Sequence, residues 1–150
     1  SDIELPESNN HFVLVRSRNR LGVSSWSRVS FHVTDLSREL PPVVSITSPE
    51  DKSTVSLGSD IEFVWMQGAA ANDSSVATGF DVYIYDRTQR AYVVTERNMD
   101  AASLCDESGV CRYALSSDIE LPESNNHFVL VRSRNRLGVS SWNRINFHIE

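Results

Sequence analysis

His127-Phe128-Val129-Leu130-Val131-Arg132-Ser133-Arg134-Asn135-Arg136-Leu137-Gly138-Val139-Ser140-Ser141-Trp142 reads as one long strand, a turn and the start of a second strand. The same sixteen letters occur at 11–26. The duplication is wider than this stretch. Residues 1–34 match 117–150, with differences only at Ser27/Asn143, Val29/Ile145, Ser30/Asn146, Val33/Ile149 and Thr34/Glu150. Through these changes positions 29, 31 and 33 stay apolar, while 30 and 32 stay polar. A preserved period of two marks a half-buried strand. We read the stretch as the closing hairpin of a β-sandwich module. A near-identical copy 116 residues away implies a tandem array of modules.

Working outward, residues 1–34 are the tail of a preceding repeat, 35–41 a linker, and 42–150 one complete module. Pro41 and Pro42 remove two backbone donors and favour an extended, semi-rigid entry. The first strand is expected at Val43–Thr47, stopped by Ser48-Pro49 and a turn at Asp51-Lys52-Ser53. Ile61, Phe63 and Trp65 then fall on one face of a strand ending at Met66, and Phe80, Val82 and Ile84 on one face of another. Ala91–Thr95 and Cys111–Leu115 are further strands. Residues 68–79 and 98–110 read as loops, and Leu121–Asn126 as a turn. About seven short strands without a helical period predict an all-β, antiparallel β-sandwich.

Composition excludes several function classes. A net charge of −6 and a pI near 5.2 argue against nucleic acid as a partner. No apolar run is long enough for a membrane span. No signal peptide is recognisable, and Ser1 opens inside a structural pattern, so the chain reads as an excised piece. Cys105 and Cys111 are the only cysteines. We expect them to be bonded, which places the protein in an oxidising setting: extracellular, cell-surface or periplasmic. Gly109 permits the tight reversal that the small ring needs.

In its last third the module resembles a fibronectin type III domain. The residues carrying the likeness are Leu121, Pro122, His127, Val129, Val131, Ser133, Asn135, Gly138, Ser141 and Trp142, with Trp65 matching the family's strand-B tryptophan. His127 stands where the family has its corner tyrosine, and the proline follows the leucine directly. With the unusual cysteine insert at 98–111, these departures leave a related immunoglobulin-like sandwich as the alternative.

The candidate binding face lies opposite the core. Phe128, Leu130, Arg132, Arg134 and Arg136 alternate away from it. A neighbouring strand is expected to present Asp81, Tyr83 and Tyr85 beside them, with Trp142 adjacent. Such a surface could bind a glycan or a protein. The favoured reading is a structural ladder of guanidinium planes on rings, as the resemblance implies from the family's cytokine-receptor modules. His127 and His148 read as a backbone-bonded corner histidine and an exposed strand histidine, not as metal ligands. Asp100, Asp106 and Glu107 match no calcium loop. Asn72-Asp73-Ser74 is a glycosylation acceptor sequence in a eukaryotic secretory setting. No nucleophile elbow or phosphate loop is present, so catalytic residues, metal and cofactors are all expected to be none. The expected role is a non-catalytic structural or adhesion spacer in a secreted or surface multidomain repeat protein, in contact with neighbouring modules. The alternative is a carbohydrate-binding accessory module of a secreted hydrolase. The hairpin 11–33 lacks a scaffold of its own and is expected to be buried against the adjacent module or against the same hairpin of a second chain, the latter making a dimer.

Overall fold

The computed structural model describes residues 5–6, 8–33 and 39–150, and of Asn9 only the backbone. Linker residues 35–38 lie outside the described residues. The chain divides into two compact units, Ser1–Ser37 and Arg38–Glu150.

The first unit is a hairpin. β1 (Ser8–Val15) pairs antiparallel with β4 (Ser27–Val33), and β2 (Arg18–Asn19) pairs with β3 (Gly22–Val23) at the tip. Ser17 N–H donates to Ser24 Oγ at 2.9 Å, Leu21 N–H donates to Asn19 Oδ1 at 2.8 Å, and His11 Nε2 lies 2.6 Å from the Pro6 carbonyl.

Among the described residues the second unit is mostly β-strand, with a one-turn helix and a 3-10 turn at Asp73–Ser75 among its other elements. β5 (Ser45–Ser48), β7 (Glu62–Met66) and β10 (Val110–Ala114) form one sheet in the order β10-β7-β5. The other sheet contains β6 (Ser53–Val55), β8 (Gly79–Asp86), β9 (Ala91–Asp100), β11 (Ser124–Asn135), β12 (Gly138–Val139) and β13 (Asn143–Ile149). Its order is β6-β13-β11-β8-β9, with β12 paired to β11. The two sheets face each other across one core. Phe63 and Trp65 of β7 meet Phe147 of β13 and Phe80 of β8 edge-on, at 5.8 and 5.4 Å between ring centres. Val82, Ile84, Val129 and Val131 complete the buried centre. Alternation alone builds this: apolar residues two apart on each strand share the inner face. Among the described residues, no helix is long and apolar enough to cross a membrane.

The structure corrects several sequence expectations. The first strand begins at Ser45, while Val44 before it is buried in extended chain. Ser53–Val55 is a strand, parallel to β13, where only a turn was expected. β9 runs on to Asp100, and Ala101–Leu104 is one helical turn whose N-terminus is capped by Asp100 Oδ1. Segments of three or four residues are too short to show a hydrophobic period. The expected turn at 121–126 ends early, because β11 starts at Ser124 with a bulge between Ser124 and His127. Residues 39–41 of the expected linker pack on the module. Pro41 is buried, Asn135 Nδ2 donates to the Glu39 carbonyl at 2.5 Å, and Ser133 Oγ donates to the Pro42 carbonyl.

Cys105 and Cys111 are bonded, and their backbones form an isolated antiparallel bridge. Asp106 Oδ1 accepts from Ser108 N–H, Ser108 Oγ and Val110 N–H, so one carboxylate organises the loop. These bonds, led by the Ser108 hydroxyl, lower the Asp106 pKa. Gly109 has φ +82°, the left-handed region the reversal requires.

Candidate binding face

The outward face of the larger sheet is assembled by register. β11 and β8 pair Phe128 with Tyr85, Leu130 with Tyr83, Arg132 with Asp81, and Arg134 with Gly79. β9 adds Tyr92 opposite Tyr85, and Trp142 enters just before β13. The residues expected together are therefore neighbours, with one exception. Arg136 lies past the end of β11 in the turn, exposed, with Nη2 4.0 Å from Glu39 Oε2. The turn breaks the two-residue alternation that was extended to it.

Asp81 anchors the face electrostatically. Its carboxylate is fully buried and accepts from Arg132 Nε at 2.7 Å, Arg134 Nη2 at 2.8 Å, Arg134 Nε at 3.2 Å and Asn98 N–H at 2.8 Å. Burial alone would raise its pKa. The Arg134 and Asn98 hydrogen bonds and the Arg132 contact outweigh that and hold it at about 2. The same contact raises the Arg134 pKa. A carboxylate expected on an outward face is thus roofed by two arginines, because an unpaired buried charge costs far more than a paired one. The sequence carried half of the signal, an aspartate inside the apolar run Phe80–Ile84; the two arginines over it are set by strand pairing.

The rings form a ladder and not a flat platform. Arg132 lies 4.2 Å over Trp142, Arg144 3.9 Å over Phe128, and Arg97 5.7 Å over Tyr83. Tyr85 stacks on Phe128 at 4.6 Å and 11°. The other pairs are tilted or edge-on: Tyr83–Trp142 at 47°, Tyr83–Tyr92 at 67° and Tyr85–Tyr92 at 74°. Phe128 lies on the face opposite the core as expected, but is buried there beneath Tyr85, Tyr92 and Arg144. Leu130 and Trp142 are half-buried, while Tyr92 is 47% exposed. One concavity of this unit adjoins the arginine end of the face, and another lies away from it. One of about 520 Å³ is lined by Asp73, Asn98, Arg134 and Arg136, and one of about 660 Å³ by Leu57, Ile61, Leu115, Ile119, Leu121 and Ile149. Arg97 and Arg144 escaped the sequence reading, whereas Tyr92 was expected beside Tyr83, Tyr85 and Trp142 as part of a possible platform.

His127 is a fully buried corner. Its Nε2 lies 2.7 Å from the Pro122 carbonyl, while Nδ1 accepts from Arg87 N–H at 3.1 Å. The ring therefore donates from Nε2 and ties the start of β11 to the β8–β9 turn. Asp86 Oδ1, 3.6 Å from Nδ1, accepts from Thr88 N–H and Gln89 N–H in that turn. His148, expected to be exposed, is half-buried, with Nδ1 covered and unpartnered. Among the described residues, no group of three or more His, Cys, Asp or Glu is placed to hold a metal ion.

No protein-family model and no curated protein matches the chain. Solved structures do resemble it. Superoxide reductase (neelaredoxin) from Ignicoccus hospitalis is 13% identical at a TM-score of 0.50, covering 78% of this chain and 88% of that one. A variant of the same protein gives 0.51 at 13% identity, covering 78% and 87%. At that identity the likeness is one of fold alone. Domains 4 and 5 of the S-layer protein SbsC superpose more loosely, at a TM-score of 0.37 and 12% identity over 93% of this chain and 58% of that one.

Proposed function

We propose that Arg38–Glu150 is a non-catalytic spacer or adhesion module of a tandem-repeat protein, a fibronectin type III-like sandwich acting outside the cytoplasm. The observation that carries the reading is the repeat together with the way the module holds its own entry segment. Glu39 and Pro42 are tied by their carbonyls to Asn135 and Ser133 of the closing hairpin, and Pro41 and Val44 are buried. A module that clamps the chain leading into it transmits orientation and load from one repeat to the next. His127 supports the immunoglobulin-like assignment. In that class a tyrosine near the start of strand F bonds back to upstream backbone, and His127 does the same toward Pro122. The disulfide favours an oxidising compartment.

The arginine-roofed, mutually tilted rings favour a structural ladder over a flat sugar platform. Pulling on the chain in single-molecule force measurements tests the spacer reading. Arg38–Glu150 should unfold in one cooperative event, releasing roughly 35–40 nm at 3.3–3.6 Å per residue. Unfolding at negligible force in several small steps would argue against a load-bearing spacer. Binding on a glycan array that Trp142→Ala abolishes would replace this reading with the carbohydrate-binding one.

A further inference from the structure

The hairpin Ser8–Val33 exposes a face that its copy buries. Val13, Val15 and Val29 are 47, 63 and 60% exposed, whereas Val129, Val131 and Ile145 are 0, 0 and 6%. The strand register, the bulge and the arginine–ring contacts of the two hairpins agree. His11↔Phe31 and Val13↔Val29 pair as His127↔Phe147 and Val129↔Ile145 do, and the bulge at Ser8/His11 recurs at Ser124/His127. Arg16 over Trp26 at 4.4 Å and Arg28 over Phe12 at 4.1 Å repeat Arg132 over Trp142 and Arg144 over Phe128. The free hairpin is thus already folded in the shape that the sandwich takes up.

We infer that the apolar face of hairpin 8–33 is a docking surface for the front half of a second copy of this chain, in the seat that the copy's own hairpin 124–149 fills. The occupant is identified by the structure itself, since the same residues in the same register are covered by β7, β8 and the rest of Val44–Ala114. Arg16 and Arg18 stand where Arg132 and Arg134 reach Asp81, so the charge match goes with the apolar one.

Chain geometry excludes the hairpin's own module. Seated there, Val33 would occupy the place of Ile149. Glu39 is held by Asn135 at the far end of β11, roughly 30 Å away at 3.3 Å per strand residue. Six residue steps from 33 to 39 reach at most about 21 Å. Docking within the chain would strip Pro41 and Val44 from their buried sites, whereas docking on a second copy leaves them in place. Hairpin 8–33 carries Val29 and Val33 where its rival has Ile145 and Ile149. Two missing methylenes make it the weaker competitor by roughly ten- to a hundredfold. Exchange therefore shows when the second copy's own hairpin is disabled.

The test uses full-length chains. An acceptor carries Val131→Asp and Ile145→Asp, which unseat its closing hairpin, with Val15→Asp and Val29→Asp to silence the other. The donor is the wild-type chain, co-expressed under a different tag. We expect a one-to-one complex in which Trp65 regains its buried fluorescence, and at least tenfold less of it with a Val15→Asp, Val29→Asp donor. The Val131→Asp, Ile145→Asp chain with hairpin 8–33 intact should sediment as a dimer through reciprocal exchange. Failure of the wild-type donor to rescue the acceptor, equal rescue by the crippled donor, or a folded monomer of the intact-hairpin variant would each overturn the inference. It rests on the repeat and not on the spacer role, so the pulling experiment can fail while this one succeeds.

Discussion

Val131→Ala and Val15→Ala make the same change in the same local sequence, so their difference measures tertiary burial alone. Val131 is fully buried between the sheets, and Val15 is 63% exposed. Removing two buried methyl groups at about 0.8 kcal/mol each, with a cavity left behind, should cost about 2–3 kcal/mol. For a unit of this size about 4 °C accompanies each kcal/mol, so the melting temperature should fall by roughly 8–12 °C. Val15→Ala should stay within about 0.5 kcal/mol, as surface changes do, which is roughly 2 °C. Near-UV circular dichroism follows the core rings Phe63, Trp65 and Phe80 through the melt, and urea titration checks that the m-value is unchanged. Equal losses from the two substitutions would refute the assignment of faces. A large loss from Val15→Ala alone would mean that the first hairpin is the one built into the sandwich.

Three further outcomes are expected. Because the Asp81 pKa is depressed from 3.8 to about 2, its stabilising contribution is complete above pH 4 and is lost as pH falls through 2. That is about 2 kcal/mol at 1.4 kcal/mol per decade, measurable by urea titration across this window; Asp81→Asn should flatten the dependence, and an unchanged slope would remove Asp81 as its source. Trp65→Ala should cost about 3–5 kcal/mol as a buried large-to-small change, whereas Trp142→Ala should cost about 1 kcal/mol, both read by thermal melts. Replacing Cys105 and Cys111 together by serine should cost about 2 kcal/mol, the loop-entropy value for so short a ring. A neutral result would show that the strands already constrain the loop.

The hairpin was the most legible part of the chain because its signals are local. Its alternation, the Asn135-x-x-Gly138 turn and the Ser133–Ser140 clasp recur wherever the letters recur, with or without a scaffold. One difference shows where locality ends. β11 is continuous from Ser124 to Asn135, yet the same letters in the first copy leave the strand at Arg16 and Ser17. Pairing of Arg132 and Ser133 with Asp81 and Phe80 of β8 supplies the missing order. The candidate face was half legible for the same reason. Alternation placed Phe128, Leu130, Arg132 and Arg134 on one side, but the burial of Asp81 and Phe128 depends on which strands lie alongside. Strand β6 and the helical turn after Asp100 left almost no trace, being short and fixed by contacts with β13 and β10.

Hydrogen exchange resolved to the two return strands decides which hairpin closes the sandwich. Segments 27–33 and 143–149 differ in mass, through Ser27/Asn143, Val29/Ile145, Ser30/Asn146 and Val33/Ile149, so mass spectrometry separates them. Their local hairpins are otherwise alike, and protection therefore reports what packs against each. We expect amides in 143–149 to exchange only through global unfolding of the module, and those in 27–33 to exchange orders of magnitude faster, by local opening. Comparable protection in the two strands, or stronger protection in 27–33, would contradict the assignment of 124–149 as the hairpin that closes the sandwich.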